Sequence, residues 1–211
     1  MGAERKNFND LTTSGESCLT SLSRLYLLSG EPTVNPEWIL VDAVTAVEVH
    51  VDRTIEALVA DSGISSLLVG GAFLSRYAEE MSRTWDARYE WLADGFEVKM
   101  RGEKAQQDFQ VLVECRNAIV HGSGHLTRRQ RSSLGKFIQL RKQLKSVLDI
   151  DVHGTVIVFS RNSARVSLRV ASSFVHGFDR TVLESPQMQG PQPAQHLLHH
   201  KGQTADNRTQ S

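Results

Sequence analysis

The strongest constraint on this 211-residue chain is a spacing: apolar residues recur every three or four positions in one stretch after another. That period gathers side chains on one side of an α-helix, and a helix with one apolar stripe must bury it against another element. The clearest stretch opens on Asn35-Pro36-Glu37. Asn is a good N-cap, Pro suits the first helical turn, and Glu favours the positive end of the helix dipole. From there to about Ala60 the stripe is Ile39, Leu40, Ala43, Ala46, Val47, Val51, Ile55, Leu58 and Val59, and Asp61-Ser62-Gly63 stops it. On this helix His50, Asp52 and Arg53 read as a solvated face.

The same pattern predicts further helices. Residues 16–29 make a short one ended by Gly30, and residues 72–93 a longer one ended by Gly95. Gly70-Gly71 precedes the latter and implies a kink or a close approach. Residues 103–121 form another, closed by Gly122-Ser123-Gly124. Thr127 with Gln130 three positions on has the pattern of a capping box, for a helix reaching about Leu148. After Gly154 the period changes. Thr155–Phe159 is a β-type run, and Val166, Leu168 and Val170 alternate with Arg165, Ser167 and Arg169. That alternation fits a small hairpin near residues 155–170, but Val166, Val170, Phe174 and Phe178 also fit a helix start. A last helix reaches about Glu184. The expected fold class is therefore mainly α, a helical bundle over 16–185, with a flexible N-terminus at 1–15 and a disordered tail at 186–211 rich in Gln, Pro, Gly and His.

Composition narrows the classes. The chain has no apolar run of the roughly 18–20 residues a membrane helix needs, and no signal-peptide core. Cys18 and Cys115 make no disulfide framework and no CxxC motif. The expected location is cytoplasmic, without a membrane partner. His199-His200 is too sparse for a metal site, and no metal or cofactor is expected. Phosphate-loop, dinucleotide, zinc-protease and nucleophile-elbow motifs are missing.

The net charge of zero hides a gradient. Residues 1–100 carry 8 basic and 16 acidic side chains, and residues 101–211 carry the reverse. Ten Lys and Arg fall between Arg101 and Lys145 against Glu103, Asp108 and Glu114. Such a segment can present a positive field to phosphates. The expectation is positive charge gathered around one cleft, with acidic surface elsewhere.

Inside that segment lies Glu114-Cys115-Arg116-Asn117-Ala118-Ile119-Val120-His121-Gly122, at the end of a helix. Asn117 and His121 are i, i+4 and share a face, so the amide can orient the imidazole. The imidazole sits at the negative end of the helix dipole, which favours its cation. Gly122 and Gly124 leave the following backbone open to a ligand. Arg116 and His121 lie about 140° apart around an ideal helix. Their convergence needs the long Arg side chain, a loosened last turn, or a second subunit. The plain alternative is capping: His121 as a helix-end cation, Gly122 as the residue past the helix end, Arg116 as a surface ion-pair partner. Cys115 reads as a buried packing residue.

Arg116-Asn117-Ala118-Ile119-Val120-His121 resembles the arginine–histidine signature of the HEPN superfamily, in the form with a polar residue directly after the arginine and a glycine after the histidine. The resemblance covers residues 116–122 as motif and about 36–184 as architecture. It implies a HEPN-like helical bundle and a metal-independent endoribonuclease, plausibly a toxin or defence effector, acting on RNA as a homodimer with a shared site. An antitoxin or sensor protein is a further implied partner. His121 would be the acid/base for attack of the ribose 2′-OH on the adjacent phosphate. Arg116 would bind that phosphate, and Asn117 would orient His121 or touch the phosphate. Arg128, Arg129, Arg131 and His125 are the candidate substrate-binding residues. The alternative function is a non-catalytic HEPN-like module that binds RNA or a protein.

Overall fold

The computed structural model describes residues 11–100 and 102–186. Within them run α1 (Thr13–Leu28), α2 (Pro36–Asp61), a short 3₁₀ turn (Ile64–Ser66), α3 (Leu68–Ser82), α4 (Trp85–Phe96), α5 (Lys104–Gly122), α6 (Leu134–Leu148), β1 (Ile150–His153), β2 (Val156–Phe159) and α7 (Ser163–Leu183). The architecture is mainly helical with one two-stranded antiparallel hairpin.

α2 follows its sequence signals. The Asn35 side chain accepts from the Glu37 N–H at 2.8 Å, and Pro36 fills the first turn. Its apolar stripe is buried among α1, α5 and α7, and α4, α6 and the hairpin add further side chains to the core. An aromatic stack holds α5 to α7: Phe109 and Phe174 lie 4.3 Å apart and nearly parallel, with Trp85 of α4 edge-on to both. Such pairs add about 0.5–1.5 kcal/mol each beyond the area they bury. α6 packs on α5 and α7, and β1 packs on α6.

Four expectations change. α1 starts at Thr13, before the expected residue 16, because Thr12 caps it by accepting from the Gly15 N–H. The expected N-terminal segment otherwise lies outside the described residues, as does the tail from 187 onward. The helix expected over 72–93 is two helices. Thr84 turns extended and accepts from the Ala87 N–H, which starts α4 afresh. The Thr127–Gln130 capping bonds form, yet they close only a turn. α6 begins after Ser133, whose side chain accepts from the Lys136 N–H. Residues 128–132 hold three arginines and no apolar side chain, so a helix there would have no stripe to bury.

The fourth change concerns the hairpin. β2 covers the expected β-run, but its partner is Ile150–His153, with Asp151 opposite Val158. Residues 164–170 are helical. Ala164, Leu168, Ala171, Val175, Phe178 and Val182 form a longer stripe than the three-residue alternation, and all are buried. Gly70 is a close approach: a Cβ there would lie 2.0 Å from the Ile64 carbonyl oxygen.

Candidate active site

The end of α5 is fixed by backbone geometry. The helix continues through Gly122, and Ser123, at φ 50°, is the left-handed residue that stops it. The expected stop at Gly122 is thus one residue early. The Gly124 N–H returns to the Ala118 carbonyl at 3.1 Å. The chain then joins the hairpin: Leu126 N–H donates to Thr155 O at 2.8 Å, Ile157 N–H to Gly124 O at 2.9 Å, and His125 bridges Val156. The loop after His121 is therefore clamped to β2.

On this end Arg116 and His121 meet within one chain. Arg116 Nη1 lies 3.4 Å from His121 Nε2 and 3.4 Å from Asn117 Oδ1. The long arginine side chain spans the 140° by itself, so neither a loosened turn nor a second subunit is needed for convergence. A guanidinium can only donate, so this contact belongs to the imidazole with Nε2 unprotonated and the proton on Nδ1. At 3.4 Å both bonds are long, and incoming acceptor oxygens can displace them. Arg116 Nε is shielded from solvent and has no partner, so the side chain stem is held in the protein while the guanidinium tip reaches out. Asn117 orients Arg116 through its oxygen; the expected amide–imidazole bond is replaced by this one. His121 itself is exposed.

The outer candidates divide. Arg128 is exposed beside the motif end. Arg129 Nη2 lies 4.0 Å from Glu114 Oε1, so that cation is partly offset. Arg131 Nε donates to Leu126 O at 2.9 Å, which commits one edge of its guanidinium to holding the loop. His125 Nδ1 meets Thr155 Oγ1 at 3.1 Å, which ties the ring to the hairpin turn. Cys115 is fully buried, and burial pushes its thiol pKa well up.

The expected gathering of charge on one face is not what the structure builds. Lys104 pairs with Asp108 at the far end of α5, about 25 Å from His121 by helix rise. At about 100° per residue, Leu140, Leu144 and Leu148 mark the inner side of α6. Lys136 flanks that side on one edge, Arg141 and Lys145 on the other, and Lys142 points away. Lys145 is engaged by Asp149 at 3.0 Å and Asp151 at 2.9 Å. Among the described residues, Arg128 and Arg131 lie on the turn that follows the motif, and Arg129 and Lys136 share a groove with Glu114.

A second polar constellation was not legible as such. His50 is buried, not on a solvated face. Its Nδ1 meets Ser14 Oγ at 3.0 Å, and its Nε2 lies 3.0 Å from Asp179 Oδ1 without hydrogen-bond alignment. Asp179 also accepts from Thr12 N–H at 2.9 Å. Asp52 holds Arg88 with two bonds of 2.7 and 2.9 Å, tying α2 to α4. The signal for His50 was its register: it falls three residues after Val47, on the buried stripe. Among the described residues no group of three His, Cys, Asp or Glu is placed to hold a metal ion, and no helix is long and apolar enough to cross a membrane.

Comparison of the chain with protein-family models, with curated proteins and with solved structures finds no match.

Proposed function

We propose that this chain is a metal-independent endoribonuclease of HEPN type. It acts in the cytoplasm as a homodimer, as a toxin or defence effector held in check by an antitoxin or sensor. The observation that carries this reading is the 3.4 Å approach of Arg116 Nη1 to His121 Nε2 at an exposed helix end. A base and a phosphate-binding cation are what 2′-OH attack requires.

In the proposed reaction the phosphate enters between the two groups. His121 Nε2 takes the proton of the ribose 2′-OH, and the 2′-oxygen forms a bond to phosphorus. The bond from phosphorus to the 5′-oxygen breaks, and that oxygen takes a proton from a second acid, His121 of the other copy. The products are a 2′,3′-cyclic phosphate and a 5′-hydroxyl. Arg116 stabilises the charge that develops on the non-bridging oxygens. DNA, lacking the 2′-OH, is not a substrate.

The test is incubation of purified protein with cellular RNA in EDTA. Wild type cuts and leaves cyclic phosphate ends; His121→Ala lowers the rate by about 10²–10⁴-fold. Because Arg116 and His121 meet within one chain, mixing Arg116→Ala with His121→Ala protein restores no activity. Cleavage by His121→Ala at the wild-type rate refutes the reading. RNA that is bound and left intact by wild type assigns the chain instead to a non-catalytic binding module.

A further inference from the structure

We propose that Ser14, His50 and Asp179 make a second reactive site, a serine nucleophile with its base and counter-charge, which hydrolyses small carboxylic esters in the cavity between α1 and α2. That cavity is lined by α1 and α2 alone and shares no residue with the end of α5, so this activity does not depend on the ribonuclease reading.

The register of three helices builds the site. α1 and α2 run antiparallel: Cys18 Sγ reaches the Ala46 carbonyl at 3.4 Å, and one turn further along Ser14 stands opposite His50. α7 packs on both and brings in Asp179. Ser14 Oγ lies 3.0 Å from His50 Nδ1, and His50 Nε2 lies 3.0 Å from Asp179 Oδ1. A carboxylate only accepts, so the ring nitrogen beside it carries the proton, and Nδ1 keeps its lone pair for the Ser14 hydroxyl. This is the protonation a base needs beside a nucleophile. The His50 ring is held edge-on to Phe178, 5.3 Å between centres. The side chains of His50 and Asp179 are both fully buried. When His50 takes a proton, its cation therefore forms next to a fixed negative charge that water does not screen.

Ser14 is only half-buried, and it faces the cavity together with His50. The space exists because short side chains meet there, Ser17 and Ser21 of α1 against Thr45 and Ala46 of α2. It holds about 570 Å³, the size of a small-molecule site. Leu25 and Val49 give it an apolar wall. A seryl nucleophile defines the substrate as an acyl compound, and that wall receives an apolar acyl chain. An ester is the acyl compound that asks least of the site, because an alcohol leaves more readily than an amine.

In the first step Ser14 Oγ bonds to the ester carbonyl carbon while His50 Nδ1 takes the hydroxyl proton. The carbonyl oxygen becomes negative at the start of α1, where the N–H groups of Thr13 and Ser14 have no acceptor among the described residues. The bond to the ester oxygen then breaks, and that oxygen takes the proton from His50 and leaves as an alcohol. Water repeats the sequence: it gives a proton to Nδ1 and bonds to the acyl carbon, and Ser14 Oγ departs and regains its proton. A carboxylic acid is released and the protein is restored.

The test uses the full-length protein with a fluorophosphonate probe, which bonds to activated serines, and with p-nitrophenyl butyrate. The probe labels one residue, and mass spectrometry of the digest maps it to Ser14. p-Nitrophenyl butyrate is hydrolysed, and p-nitrophenyl phosphate is left intact. Ser14→Ala loses the label and lowers ester hydrolysis to the rate without protein, whereas Ser23→Ala, on the exposed side of α1, changes neither. Circular dichroism checks the fold of both variants, and the mapping on wild type needs no variant at all. Absence of labelling, a label on another residue, ester hydrolysis that survives Ser14→Ala, or cleavage of the phosphate ester overturns the proposal.

Discussion

Gly15 and Asp179 form a pair that a double-mutant cycle can dissect. A Cβ added at Gly15 would lie 1.8 Å from Asp179 Oδ2, inside any allowed contact. Asp179 is fully buried and serves Thr12 N–H, Thr12 Oγ1 and His50 together, so it cannot swing away cheaply. Gly15→Ala gains about 1 kcal/mol of helix propensity but overpacks this site, at about 1–3 kcal/mol or more. The net is a loss of up to about 2 kcal/mol. Asp179→Ala leaves the Thr12 N–H without its acceptor and opens space beside buried His50, a loss of about 1–3 kcal/mol. In the double variant the clash has no counterpart. There Gly15→Ala becomes neutral or stabilising by up to about 1 kcal/mol. The cycle therefore carries a coupling of about 1–3 kcal/mol, the size of the clash that Asp179→Ala removes. Urea unfolding followed by ellipticity at 222 nm measures all four proteins, and a domain of ordinary stability tolerates each change. Additivity within about 0.5 kcal/mol would mean that α1 does not dock on Asp179 as described.

Gly70→Ala drives a Cβ to 2.0 Å from the Ile64 carbonyl, so it lowers the thermal midpoint, while Gly71→Ala, 3.7 Å from its nearest neighbour, does not; differential scanning calorimetry of both variants checks the contrast. Burial pushes the Cys18 thiol pKa up to about 12 and that of Cys115 further still. Neither thiol reacts with a disulfide reagent at pH 8 in the native protein, and both react in denaturant. The Ser160 hydroxyl, at 2.6 Å, and then Lys145 hold Asp149 below the usual carboxylate range. A depressed folded-state pKa gives stability that is present above the unfolded value and is lost as pH falls through the folded one. Ser160→Ala raises the Asp149 midpoint in an NMR titration; an unmoved midpoint refutes that cause.

The helices were legible wherever a cap signal and an apolar stripe agreed. Asn35-Pro36 with the stripe to Leu58 placed α2, and the run ending at His121 placed α5. Reading failed where one of the two signals stood alone. Thr127 and Gln130 have capping chemistry with no stripe behind it, and they made a turn. Val166, Leu168 and Val170 alternate over too few residues to outweigh a helical stripe that runs on to Val182. The break at Thr84 interrupts a stripe that is continuous in sequence, and only the Thr cap marks it. Long-range polar partners left no local trace: nothing near His50 in sequence announces Asp179, 129 residues away.

The candidate site shows the same division between local and distant information. That Arg116, Asn117 and His121 belong together is local and was readable. How they come together was not, because it depends on where the guanidinium points, and a sequence pattern does not fix the rotamers of so long a side chain. The arginine stem is confined, its Nε is shielded, and Asn117 takes one of its N–H groups. These constraints bring the charge to the imidazole without a partner chain. In the reaction proposed above, a second copy supplies the second proton transfer and is not needed to assemble the first pair. That proposal assigns different roles to dimer loss and motif loss: a monomeric variant would keep phosphate affinity and lose turnover, whereas Arg116→Ala would lose both. The net charge of zero says nothing about either, since Lys104 and Lys145 are already matched by Asp108, Asp149 and Asp151. For the RNA of that proposal the cations left outside those ion pairs include Arg116, Arg128 and Lys136, while Arg129 lies 4.0 Å from Glu114.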